Sequence, residues 1–110
     1  MDLLAARIER RADAARARAD ALRARLPECV RVLRGRGATR VVLFGSLATG
    51  AAPHERTDVD LAVWGLSERD VLDVALDLEE IFGASLDIVS AECAGQRLLA
   101  RIARDGVELG

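Results

Sequence analysis

The sequence contains no lysine, no tyrosine and no asparagine, and Phe44, Trp64 and Phe82 are its only aromatic residues. Without lysine, the Gly-rich phosphate loop that depends on a Lys side chain is excluded. With so few rings, the core has to be built from Leu, Val, Ala and a few Ile. No apolar run reaches the roughly 20 residues that cross a bilayer, which predicts no membrane partner. The opening residues lack the basic start, apolar middle and small-residue cleavage site of a signal peptide. Cys29 and Cys93 have no metal-ligand spacing, so they read as reduced thiols of a cytoplasmic protein. No internal repeat is present, and 110 residues suit one compact domain.

What is present points to a folded chain. Hydrophobic residues make up 51% and charged residues 31%, a balance that supports a core rather than disorder. The net charge of −2 conceals an asymmetry: residues 1–40 carry eleven Arg against five acids, and residues 41–110 five Arg against thirteen acids. Such a basic arm beside an acidic body fits a nucleotide or nucleic-acid contact, or simply a solvated helix of mixed charge.

From Asp2 to Leu26 the chain is dominated by Ala, Arg, Leu and Glu without Gly or Pro, which predicts a long N-terminal helix. Ile8, Ala12, Ala15, Ala19, Leu22 and Leu26 fall on one face, a thin stripe suited to a close helix–helix contact. Pro27 is expected to interrupt this helix, with a short one following over 28–34. The expected organisation is thus a helix over 1–27 and a compact unit over 28–110. Arg40 to Phe44 reads as a buried strand, 45–50 as a turn with one helical turn, and 51–57 as a loop containing Pro53. A second strand is expected over 58–64, a helix from the Ser67 cap to Gly83, a third strand at 86–89 and a last helix over 96–104. That order describes a small mixed α/β (α+β) domain, with helices packed on a three- or four-stranded sheet.

The chemistry concentrates in Gly45-Ser46-Leu47-Ala48-Thr49-Gly50 and in Asp58-Val59-Asp60. A Gly ending a buried strand lets the backbone turn sharply and approach a ligand. The Ser46 hydroxyl and the N–H groups after it can donate to phosphate oxygens. Asp58 and Asp60, two apart on a strand, share a face, whereas Val59, Leu61 and Val63 face the core. Paired carboxylates repel unless a cation lies between them, and oxygen-only ligands select a hard ion such as magnesium. Asp87, set among Leu86, Ile88 and Val89, is costly to bury without a partner and so is a candidate third carboxylate. Taken singly, an Asp-x-Asp also suits a turn or a strand edge, a Gly-Ser says little, and Asp87 suits a surface-facing residue at a strand start. The combination points to a metal–triphosphate site, with Phe44 and Trp64 beside it. Gly45 and Gly50 have the first spacing of the Walker loop, but Ala51 and Ala52 follow where Lys and Ser or Thr are required.

Gly45-Ser46 with Gly50, followed by Asp58-x-Asp60, resembles the signature of the DNA polymerase β-like nucleotidyltransferase superfamily. The short length resembles its minimal nucleotidyltransferase branch, many of whose members are antitoxins of HEPN ribonuclease toxins. The likeness covers about residues 28–108, including Ile102-Ala103-Arg104-Asp105-Gly106-Val107. It implies the polymerase β-like fold and triphosphate binding at Gly45, Ser46 and Gly50. It further implies two magnesium ions on Asp58, Asp60 and Asp87, with Asp87 able to accept the proton of the attacking hydroxyl. The implied reaction moves AMP from ATP to a tyrosine hydroxyl of a HEPN toxin, in a hetero-oligomer and without direct nucleic-acid binding. Relatives often carry Arg where this chain has Leu47 and Thr49; Arg36, Arg40 and Arg56 are candidates to replace that charge. A non-catalytic antitoxin and an aminoglycoside-type nucleotidyltransferase are the alternatives.

Overall fold

The computed structural model describes residues 2–50 and 59–110. A helix α1 (Leu3–Gly35) leads into β1 (Arg40–Phe44), a short helix α2 (Ser46–Thr49), β2 (Val59–Trp64) and α3 (Glu68–Phe82). Then come β3 (Leu86–Ser90), a 3-10 turn (Ala91–Cys93), α4 (Gln96–Asp105) and β4 (Val107–Leu109). The strands form one sheet in the order β3-β2-β1-β4, with β2 and β3 parallel and the other two pairs antiparallel. The expected loop at 51–57 lies outside the described residues.

Helix α1 starts at Asp2, whose carboxylate accepts from the Leu4 N–H at 3.0 Å, meeting one of the donors that a helix start leaves unpaired. Contrary to the expected break, Pro27 lies inside this single helix. A proline there forfeits the hydrogen bond to the residue 23 carbonyl. The loss is tolerated because the buried Leu22, Leu26, Cys29, Val30 and Leu33 anchor the helix on both sides of it, so packing outweighs the local penalty. Thirty-three residues at about 1.5 Å each make α1 roughly 50 Å long, against extents of 55 × 29 × 21 Å for the molecule.

Alternation along the strands divides the interior. Val41, Leu43, Val59, Leu61, Val63, Leu86 and Ile88 join the main core beneath α1 and α3, where Val71, Val74, Leu78 and Phe82 of α3 meet them. Val42, Phe44 and Ala62 face the other way and form a smaller cluster with Ala91 of the 3-10 turn and Ile102 of α4. Helix α3 begins as expected at Ser67, whose side chain accepts from the Asp70 N–H, with Glu68 and Asp70 in its first turn. Its C-terminal end is held by Arg25, which donates to the carbonyls of Ile81 (3.1 Å) and Phe82 (3.3 Å) and stacks 4.4 Å above the Phe82 ring. A cation there complements the negative helix end.

Two elements escaped the sequence reading. The 3-10 turn and β4 are three residues each, too short for periodicity to register. Strand β4 is set by Gly106, where a Cβ would run into the Ile102 carbonyl oxygen and the Val42 side chain.

The two thiols differ sharply. Cys29 is fully buried and Cys93 exposed. Burial, with the Glu28 charge adding to it, pushes the Cys29 thiol up to about 12. The native state therefore keeps this proton after the unfolded chain has lost its own, at about pH 8.5. The corresponding stability is intact below that value and is lost as pH climbs toward 12. A thiol reagent is expected to modify one cysteine per native chain, Cys93, and the second only in denaturant. Fast modification of both in the native protein would contradict this packing.

Candidate active site

Strand β1 delivers the chain to Phe44, and Gly45 follows at φ 75° and ψ −159°, a backbone region essentially restricted to glycine. The Gly45 carbonyl then accepts from the N–H groups of Ala48 and Thr49, both at 3.2 Å, which closes the single turn of α2. Gly50 ends it in a left-handed conformation. The Thr49 hydroxyl donates to the Ser46 carbonyl at 3.3 Å. Ser46 is half-buried at the start of this turn.

Register brings the carboxylates together. Phe44 pairs with Asp60 across β1 and β2, and Asp60 pairs with Asp87 across β2 and β3. Directly opposed residues share a face at about 4.8 Å per strand, so Phe44, Asp60 and Asp87 form one row across the sheet. Gly45 closes against that row: a Cβ on it would overlap the Asp60 carboxylate, coming within 3.1 Å of its Cγ. The phosphate-loop candidate and a carboxylate of the candidate metal pair are thus in direct apposition. Asp60 is half-buried, whereas Asp87 is exposed because β3 is an edge strand. Of the two readings of Asp87, the surface-facing one at a strand start is what the structure has; register with Asp60, not burial, ties it to the row. Asp58 lies outside the described residues, as do His54, Glu55 and Arg56. Among the described residues no group of three metal-binding side chains assembles.

Other expected neighbours are elsewhere. Trp64 pairs with Arg40 at the opposite end of β1 and β2, about 13 Å of strand from the Asp60 end. Arg40 stacks 4.3 Å above the Trp64 ring and pairs with Glu108. Arg36 pairs with Asp77 of α3. Neither Arg36 nor Arg40 supplies charge to the turn. Among the described residues, Arg23 of α1 touches it, donating to the Leu47 carbonyl at 3.3 Å. Only the packing of α1 over α2 reveals this contact, 24 residues apart in sequence. Leu47 itself is buried in the main core, which accounts for an apolar residue at that position. Thr49 is exposed.

The sequence profile of the family described as Polymerase beta, Nucleotidyltransferase matches residues 29–109. The chain belongs to that family. The nucleotidyltransferase domain is similar to a solved structure described as a minimal nucleotidyltransferase, at 32% identity and a TM-score of 0.69, covering 83% of this chain and 95% of that one. It shares its fold with a toxin–antitoxin crystallised with AMP-PNP: 24% identity, TM-score 0.66, 74% of this chain and 68% of that one. It also shares its fold with a complex from Shewanella oneidensis of a tri-AMPylated HEPN toxin with an MNT antitoxin. There the identity is 22% and the TM-score 0.61, over 76% of this chain and 66% of that one. No curated protein matched. The four-stranded mixed sheet with a long N-terminal helix agrees with the polymerase β-like fold expected from the sequence. No helix among the described residues is long and apolar enough to cross a membrane.

Proposed function

We propose that this chain is an antitoxin-type protein adenylyltransferase of the cytoplasm, which transfers AMP from ATP to a tyrosine hydroxyl of a HEPN ribonuclease toxin. In this reading residues 28–110 are the transferase unit and residues 1–27 a helical extension of it. The supporting observation is the apposition of Gly45 with Asp60, itself in register with Asp87. The row fits a divalent cation: its donors are carboxylate oxygens only, and Gly45, lacking a Cβ, lets the turn approach the Asp60 carboxylate closely. Asp58, two residues before Asp60, completes the proposed ligand set with Asp60 and Asp87. Two magnesium ions, when bound, neutralise charge on the entering and leaving oxygens of an in-line displacement.

The protein's own residues have distinct tasks in this scheme. The Gly45 and Ser46 backbone, the Ser46 hydroxyl and Gly50 hold the triphosphate. Arg23 braces the turn from behind through the Leu47 carbonyl. The toxin hydroxyl oxygen bonds to the α-phosphorus, the bond from that phosphorus to the α–β bridging oxygen breaks, and pyrophosphate leaves. Asp87 takes the hydroxyl proton; its exposure at the sheet edge suits a base that must meet a residue of another protein. The neighbours described as toxin–antitoxin and as an AMPylated HEPN toxin with its MNT antitoxin support the partner and the donor.

The test is to incubate the protein with magnesium, ATP labelled on the α-phosphate and a lysate of its host. One labelled protein band that requires magnesium is expected. A second reading, neutralisation by binding alone, is favoured by the uncharged Leu47 and Thr49 beside the turn. It would be supported by a stable toxin complex in which no label is transferred.

A further inference from the structure

Six of the seven large apolar side chains that stand most exposed among the described residues belong to two helical patches. On α1 they are Leu3, Leu4 and Ile8; on α3 they are Leu72, Leu76 and Ile81. Leu4 and Ile8 are 65% and 58% exposed, Leu72 and Leu76 61% and 59%. Neither patch belongs to the candidate active site, and each has its own charge. Residues 3–18 of α1 contain five Arg against Glu9 and Asp13, while α3 contains six acids against Arg69. Leu72 and Leu76 line a groove of about 520 Å3 between α3 and the β3 edge, flanked by Glu68 and Glu79 and bordered by Cys93 and Leu98.

The patches match in pattern as well as sign. Leu4 and Ile8 are four residues apart, as are Leu72 and Leu76. Both spacings place the pair on one helical stripe. Arg7 lies three residues beyond Leu4, and Glu79 three beyond Leu76. Twelve residues of α1, from Leu3 to Ala14, extend about 18 Å, the same length as α3 from Glu68 to Glu79. Within one chain the two cannot meet. Helix α1 is unbroken, and its own contacts to α3 are made from Arg25 and Arg36. Its first turns continue past α2, which Arg23 marks, and away from the groove.

We propose that the first turns of α1 dock into the α3–β3 groove of a second copy of this chain, each copy giving its arm to the other. Reciprocal exchange is isologous and closes at two copies. It covers both apolar patches at once and sets Arg against Glu across each contact, where charge complementarity fixes register. Because Asp87 also borders the groove, the docked arm lies along the edge from which that carboxylate would work.

Sedimentation of the purified full chain at tens of micromolar is expected to give about twice its mass of 11.8 kDa. Leu4→Glu with Ile8→Glu, and separately Leu72→Glu with Leu76→Glu, should each weaken dimerisation by at least about 100-fold. Their circular dichroism should match wild type, since all four side chains are exposed. Arm-to-groove contact is distinguished from arm-to-arm contact by oxidative cross-linking of Leu4→Cys and Ile8→Cys, made separately. A cross-linked dimer from either one that disappears when Cys93→Ser is added supports the exchange. A cross-link that survives Cys93→Ser, a monomeric wild type, or a monomer that uses these patches only to hold a toxin would overturn it.

Discussion

Asp60→Ala is expected to lower nucleotidyl transfer by at least about 10³-fold while leaving the chain folded. Its side chain stands between Asp87 on the neighbouring strand and the Gly45 backbone, so it is the centre of the row. A carboxylate that shares a cation with the transferring phosphate contributes several kcal/mol to the transition state, and about 4 kcal/mol is a thousandfold in rate. Stability should change far less than activity. Asp60 is half-buried and opposes another carboxylate, so relief of like-charge repulsion offsets part of what its removal costs. The two effects separate in one thermal-shift experiment. Wild type should gain stability with magnesium and ATP as ligand linkage requires, and the variant should not. A variant that melts many degrees lower without ligand would show Asp60 to be structural and would remove the main support for the proposed mechanism.

Much of this arrangement is legible in the sequence, and the parts that are not share a cause. Helix α3 could be read because Ser67 caps it, Gly83 stops it and the apolar Val71, Leu72, Ala75, Leu78 and Phe82 run through it, although the buried face has Val74 and leaves Leu72 exposed. The strand before Gly45 was legible from four consecutive apolar residues, and the face of Asp60 from the alternation with Val59, Leu61 and Val63. Local rules failed where tertiary packing outweighed them. Pro27 reads as a break, yet the core holds α1 together through it. Asp87 reads either as a carboxylate that burial would penalise or as a surface residue at a strand start, and strand order, which no local rule gives, decides for the edge in water. The position of Trp64 followed from chain proximity to the motif, whereas an antiparallel pair sends the far end of β2 away from the site. Strand β4 is too brief to announce itself, and its partner β1 lies more than sixty residues earlier. Arg23 illustrates the same limit from the side of function. Nothing in its own segment separates it from ten other arginines in residues 1–40, and only the tertiary contact with the Leu47 carbonyl shows that it braces the turn.

Gly45→Ala should cost roughly 2–4 kcal/mol and eliminate transfer. Two penalties coincide at this position. The backbone at φ 75° and ψ −159° lies in a region essentially restricted to glycine, where another residue costs about 1–3 kcal/mol. The added Cβ would also overlap the Asp60 carboxylate, so either Asp60 leaves its rotamer or β1 and β2 separate at their paired ends. Gly83→Ala, at the end of α3 and outside the candidate site, is the informative control. It too carries a positive φ, 64°, but a Cβ there meets nothing within 4 Å, so it should cost about 1 kcal/mol and spare most of the activity. If both variants lost stability and activity equally, backbone strain alone would explain the requirement for glycine. A far larger loss of activity at Gly45, with Asp60→Ala no worse when combined with it, would instead mean that the turn and the carboxylate act as one unit. Non-additivity is the expected signature of residues in contact, and the overlap of Gly45 with Asp60 predicts it for this pair.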